Sequence, residues 1–277
     1  MTNERIAFIG GGNMARSLIG GLIGDGYDSA GLWVSDPDAQ RLGQLADHFG
    51  VHTTQSNSEA VQHADTIILA VKPQAMHQVA EQIKDHLDAS RHLVISIAAG
   101  IRTQALEAWL GEGMPIVRAM PNTPALVQSG ATVLIANPMV STAQRDAAET
   151  VLRSVGLVLW VVDEAQMDSV TALSGCGPAY FFLVMECLEK AAQQQGLPAR
   201  LTRLLTLHTA FGAAKLALES EEDSATLRAR VTSPGGATEQ AIKVLQQANL
   251  QSLFDDALKA AQQRSMELAD QLGRNNG

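Results

Sequence analysis

The sequence predicts an α/β protein in two parts: a doubly wound parallel sheet over residues 1–162, then an all-helical domain over residues 163–277. Three observations lead there. Short β-rich runs alternate with amphipathic helical runs up to about residue 162, the pattern of a sheet covered on both faces. A glycine-rich turn at Gly10-Gly-Gly12 separates the first strand from the first helix. After Asp163, extended β-branched runs almost vanish.

Taken in order, the apolar run 6–9 reads as a strand and 13–23 as a helix, followed by strand 32–35 and helix 39–49. Residues 66–71, 92–97, 115–118 and 131–136 read as further strands, then helix 142–154 and strand 157–162. The helical part divides into 164–173, 178–195, 198–220, 226–231, 237–247 and 250–272. Gly196-Leu-Pro198 is a stop-and-start signal between two of these helices. The run Phe211-Gly-Ala-Ala-Lys-Leu-Ala-Leu218 is small and poorly charged, which favours burial against a second copy over an internally packed bundle.

Composition narrows the function. The net charge of −9 and the lack of a basic stripe argue against nucleic-acid binding. The two cysteines, Cys176 and Cys187, form neither a disulfide framework nor a zinc-ligand pattern, and no metal is expected. The seven histidines show no paired spacing, and His208 reads as a core histidine. A strand so near the start leaves no room for a signal peptide, and Glu186 interrupts the apolar stretch from Tyr180. A cytoplasmic protein with no bilayer span is the expectation.

Gly10-Gly-Gly12-Asn-Met-Ala15 fits GxGxxA in the context that gives it meaning, after a strand and opening a helix. Gly10 supplies the tight turn, Gly12 admits a pyrophosphate, Ala15 keeps the helix close to the strand, and Asn13 and Met14 open the helix. At the end of the second strand stands Ser35-Asp36. Asp36 either accepts ribose hydroxyls and repels an extra phosphate, or caps the next helix. Ser35 and nearby Arg41 could hold that phosphate, so the choice between NADPH and NADH stays open. Asn57 is placed with these cofactor-contacting positions. Three later strand ends join the cleft: Val71-Lys72-Pro73, Ala98-Ala99-Gly100 and Pro121-Asn122. Lys72 contacts a phosphate or is a snorkelling surface lysine; Asn122 orients a nicotinamide or is a turn residue.

A second motif lies far downstream, Val231-Thr-Ser-Pro-Gly-Gly-Ala-Thr238. Pro234-Gly235-Gly236 before a helical pattern presents backbone N–H groups to a small anion such as a carboxylate, and Thr238 adds a hydroxyl. A nucleotide cradle and a carboxylate cradle in one chain point to a dehydrogenase or reductase acting on a small acid.

These runs, with Ser96-Ile-Ala-Ala-Gly100, Arg118-Ala-Met-Pro-Asn-Thr-Pro124 and Leu173-Ser-Gly-Cys-Gly-Pro-Ala-Tyr180, resemble the pyrroline-5-carboxylate reductase family over essentially the whole chain. The resemblance implies an N-terminal Rossmann-type domain and a helical C-terminal dimerisation domain that interlocks with a partner. It implies hydride transfer from NADPH or NADH to a cyclic imine bearing a carboxylate, giving proline, and a homodimer that can assemble into a decamer of five dimers. It places Ser233, Gly235, Gly236, Thr238 and Glu221 at the substrate, with Thr238 beside the ring nitrogen as the catalytic residue. Cys176 departs from the family's usual Ser or Thr, and a thiol is the weaker donor. The alternatives are another NAD(P)H-dependent imine or hydroxyacid reductase of the same architecture, and a nucleotide-binding protein without catalysis.

Overall fold

The computed structural model describes residues 4–274. The first part runs β1 (Ile6–Ile9), α1 (Asn13–Gly24), β2 (Leu32–Ser35), α2 (Ala39–Phe49), β3 (His52–Thr54), α3 (Asn57–Gln62) and β4 (Thr66–Leu69). It continues α4 (Met76–Ile83), β5 (Leu93–Ser96), α5 (Thr103–Leu110), β6 (Ile116–Met120), β7 (Gly130–Ala136), α6 (Thr142–Arg153) and β8 (Gly156–Trp160). These strands form one eight-stranded sheet in the order β3-β2-β1-β4-β5-β6-β7-β8.

β1 to β6 pair in parallel, whereas β7 runs antiparallel to β6, with β8 parallel to β7. The expected doubly wound parallel sheet is present, with one reversal near its edge. The link 121–129 holds only a single 3-10 turn, Thr123–Val127, and a parallel crossover needs about a dozen residues or more.

Alternation along β1 builds the two faces. Ile6 and Phe8 join Leu18, Ile19, Leu45 and Leu152 on one side; Ala7 and Ile9 join Val61, Met76, Ile83 and Leu106 on the other. Each such buried large side chain contributes about 1.5–3 kcal/mol. β1 lies between β2 and β4, so the strand order reverses there, and ligands of open α/β sheets bind outside the carboxyl ends at such a point.

The helical part comprises α7 (Gln166–Val170), α8 (Gly177–Gln194), α9 (Ala199–Leu218), α10 (Ser224–Arg230), α11 (Ala237–Gln247) and α12 (Leu250–Arg274). A π-helical turn, Thr171–Gly175, joins α7 to α8, so the break expected after residue 173 does not occur. The resulting run, 166–194, is long and apolar enough to cross a membrane by length and composition alone. The π turn extends the run upstream of Glu186, which does not end the helix.

Gly196 closes α8 at φ +94°, with the Leu197 N–H bonded back to the Ala192 carbonyl. Phe181, Phe182 and Phe211 are 67%, 65% and 66% exposed, and His208, expected in a core, is exposed as well.

Two compact units divide the chain. One unit is residues 1–176 with 261–277; the other is 177–260. The end of α12 returns to the sheet-bearing unit. Ser265 donates to the buried Asp168 at 2.6 Å, Arg102 pairs with Asp270 at 2.9 Å, and the buried Gly100 lies against Leu272 and Ala269.

Candidate active site

The loop after β1 is shaped by backbone approach. Gly10 has φ +103°, and a Cβ there would stand 2.8 Å from the Ala70 carbonyl oxygen and 3.1 Å from Val71 Cγ1. Its N–H donates to the Ser35 carbonyl at 2.8 Å, tying the loop to the end of β2. A Cβ on Gly11 would meet Leu45 at 2.9 Å, whereas nothing lies within 4 Å of one on Gly12. Gly12 is the N-cap of α1 and no side chain caps that end. The first N–H groups of the twelve-residue helix therefore face open space, flanked by exposed Asn13 and half-buried Met14. A dinucleotide's diphosphate fits this cradle in charge and in room.

Asp36 is 4% exposed, and both its oxygens are engaged. Oδ2 accepts from the Gly11 N–H at 2.8 Å, Oδ1 from the Asp38 N–H at 2.9 Å, and Arg41 Nη1 spans the two at 2.9 and 3.1 Å. Burial pushes this carboxyl up, but the Asp38 and Gly11 N–H groups and the Arg41 guanidinium outweigh it and hold the pKa below the ordinary carboxylate value. Asp36 does not cap α2; Asp38 does, accepting from the N–H groups of Gln40 and Arg41. That reading of Asp36 is corrected: capping by its neighbour frees Asp36 to brace the glycine loop.

Ser35 is fully buried, and its hydroxyl donates to Asn57 Oδ1 at 2.7 Å. Asn57 in turn donates to Gln82 at 2.7 Å. The fold thus brings Ser35 and Asn57 together, but as a bonded pair. Ser35 does not present its hydroxyl to a phosphate.

The three later loops stand at strand carboxyl ends. Val71 packs beside Gly10, Lys72 is exposed, and Pro73 opens a 3-10 turn. Among the next three, only Ala99 is exposed; Ala98 is buried and Gly100, at φ +74°, is filled by α12. Gly100 is therefore a packing glycine, not a seat for a ring, a correction to the expectation. Pro121 is buried. Asn122 is a clasp: Oδ1 accepts from the Ala131 N–H at 2.9 Å and Nδ2 donates to the Ser174 carbonyl at 3.2 Å. A nicotinamide-orienting role is left only the second N–H of that amide.

One network gave no signal in the sequence. Arg118, with a side chain 3% exposed, pairs with Glu164 at 2.7 Å. The same carboxylate accepts the Thr103 N–H at 2.9 Å and the Thr103 hydroxyl at 2.5 Å. It joins β6, the start of α5 and the approach to α7, elements distant in sequence.

In the other unit, Gly235 has φ +73° and Gly236 is the N-cap of α11. The expectation that these two glycines offer their own N–H groups is corrected. The Gly235 N–H donates to Glu239 Oε2 at 2.9 Å, and the Gly236 N–H closes the turn onto the Ser233 carbonyl at 3.0 Å. The amides of Ala237 and Thr238, in the first turn, have no acceptor in the helical ladder. Thr238 and Ser233 are exposed, as is Glu221. Its neighbour Glu222 is the half-buried acid, paired with Arg230 at the end of α10. Cys176 is half-buried, and its N–H completes the π turn onto the Thr171 carbonyl at 2.8 Å.

Strand order, switch point and an uncapped glycine-loop helix define a nucleotide-binding protein with a Rossmann-type sheet and a helical domain. The family of NADP oxidoreductases, coenzyme F420-dependent, matches residues 5–100, and pyrroline-5-carboxylate reductase dimerisation matches residues 164–268. The pyrroline-5-carboxylate reductase of Pseudomonas aeruginosa is 52% identical over 274 residues, 99% of this chain and 100% of that one. The solved structure of a pyrroline-5-carboxylate reductase from Coxiella burnetii is 50% identical with a TM-score of 0.94, covering 96% of this chain and 99% of that one. The Plasmodium falciparum pyrroline carboxylate reductase, with NADP bound, is 30% identical with a TM-score of 0.85, covering 97% and 99%. The chain belongs to the pyrroline-5-carboxylate reductase family.

Proposed function

We infer that this chain reduces 1-pyrroline-5-carboxylate to L-proline with NADPH or NADH, the last step of proline biosynthesis. The observation that carries the reading is the full-length family match, which spans both glycine motifs. The α1 N-terminus, Gly12, Asn13 and Met14 hold the diphosphate, and the loops at Asp36, Asn57, Lys72, Ala99 and Asn122 border the rest of the cofactor. When bound, the reduced nicotinamide supplies the hydride.

In the other unit, Gly235 and Gly236 shape the turn while the Ala237 and Thr238 amides bind the substrate carboxylate. The Thr238 hydroxyl hydrogen-bonds the ring nitrogen and orients the imine. A threonine hydroxyl is too weak an acid to be the proton source, so solvent protonates the nitrogen. Alignment of this kind lowers a barrier by about 7–11 kcal/mol.

The chain is a homo-oligomer of its family and acts on a small molecule. We read the apolar faces of α8 and α9 as subunit interface rather than bilayer contact, the dimers as able to form a decamer, and the cytoplasm as the compartment. Initial rates with pyrroline-5-carboxylate, using NADPH and NADH in parallel, test the reaction. Proline as product is the expected result. Folded, nucleotide-binding protein that turns over with neither cofactor overturns it.

A further inference from the structure

The residue at the end of β2 usually meets the adenosine ribose, and an acid there is read as a ribose acceptor that excludes a 2′-phosphate. Here that position is closed. The Asp36 side chain is 5% exposed, and Arg41 lies across it with Nη1 on both carboxylate oxygens. Ser35 is spent on Asn57. Of the segment Ser35-Asp36-Pro37-Asp38-Ala39-Gln40-Arg41, the one cation is Arg41, and its side chain is 46% exposed. Its Nη2 has only a loose second partner, Asp38 at 3.5 Å.

We propose that Asp36 is a positioning residue that braces the glycine loop, and that Arg41 is the specificity-determining residue that takes the 2′-phosphate of NADPH. The exchange is chemically balanced. When Arg41 turns from Asp36 to a phosphate, Asp36 keeps the N–H groups of Gly11 and Asp38 and is not left unsatisfied. A phosphate offers the guanidinium more charge than the carboxylate it leaves and oxygens spaced for two nitrogens, whereas only Nη1 reaches Asp36. NADH has no group able to draw Arg41 away, so it binds with the ion pair intact. One site then accepts both cofactors, with Arg41 setting the ratio.

The inference rests on the cofactor reading above, and the test separates the two. Dissociation constants for NADPH and NADH are measured by nucleotide fluorescence on the wild type, Arg41→Ala and Arg41→Gln, with thermal unfolding of each apo protein alongside. Arg41→Gln is shorter and uncharged but keeps a polar N–H donor and more of the aliphatic stem than alanine, so it serves if the alanine variant unfolds. The expected result is a loss of NADPH affinity of about tenfold or more with NADH changed by less than about threefold, the size of one lost charge-assisted contact. An unchanged NADPH to NADH ratio, or tighter NADPH binding, overturns the role of Arg41 while leaving the cofactor reading in place. Wild-type protein that binds neither nucleotide overturns both.

Discussion

At Glu164 one carboxylate gathers the Arg118 guanidinium and two donors of Thr103. Burial pushes its pKa up, but the Thr103 bonds and Arg118 outweigh this and hold it below the ordinary value. A depressed folded pKa gives stability that is complete above the ordinary glutamate range and is lost as pH falls through the folded value. Glu164→Ala leaves Arg118 buried and unpaired, and denaturant unfolding at neutral pH is expected to show a loss of about 3–5 kcal/mol. Repeated toward acid pH, the gap between variant and wild type is expected to narrow, because the wild type loses this contribution as the carboxylate protonates. Thr238 is the opposite kind of residue, an exposed side chain in the first turn of α11. Thr238→Ala is expected to lower kcat by about tenfold or more, with unfolding and NADPH affinity unchanged; this is the size of one lost orienting hydrogen bond to the reacting ring. An unchanged kcat removes Thr238 from the mechanism.

The glycine loop shows how two neighbouring positions of one motif serve different ends. Gly10→Ala puts a Cβ against the Ala70 carbonyl at a φ of +103°, and is expected to cost the apo protein about 1–3 kcal/mol. Gly12→Ala meets nothing within 4 Å at an ordinary φ of −71°. Its apo stability is expected to fall by less than about 1 kcal/mol, while NADPH binding weakens severely because the new methyl occupies the cradle. Calorimetric unfolding and nucleotide titration on the two variants separate these effects. Such local features were legible, since GxGxxA between a strand and a helix has a fixed geometry. Helix α2 and helix α11 were legible to the residue because both have clear apolar periodicity and a polar or glycine cap. β3, α3, α4 and α5 were not read out, because three to eight residues hold too few periods to stand above their loops. The role of Gly100 and the reversal at β7 depend on what packs alongside, and Glu239 on the Gly235 amide depends on how the turn closes. No spacing in the sequence records those partners.

For the whole molecule, the exposed phenylalanines of α8 and α9 are what supports reading those faces as subunit interface. Phe182→Asp is expected to shift the protein toward monomer in sedimentation velocity, with the fold of the sheet-bearing unit retained by circular dichroism. An unshifted sedimentation coefficient places the interface elsewhere in residues 164–268. The return of α12 to that same unit has a consequence for synthesis. Residues 1–176 leave the ribosome well before 261–277, yet Gly100 is covered by Ala269 and Leu272, and Asp168 is met by Ser265. While the intervening eighty-odd residues are being translated, the nascent nucleotide unit carries an open seam at Gly100, and Asp168 lacks its Ser265 partner. Completion of that unit thus waits until α12 has been made, and until then the seam is the kind of transiently exposed surface that chaperones bind.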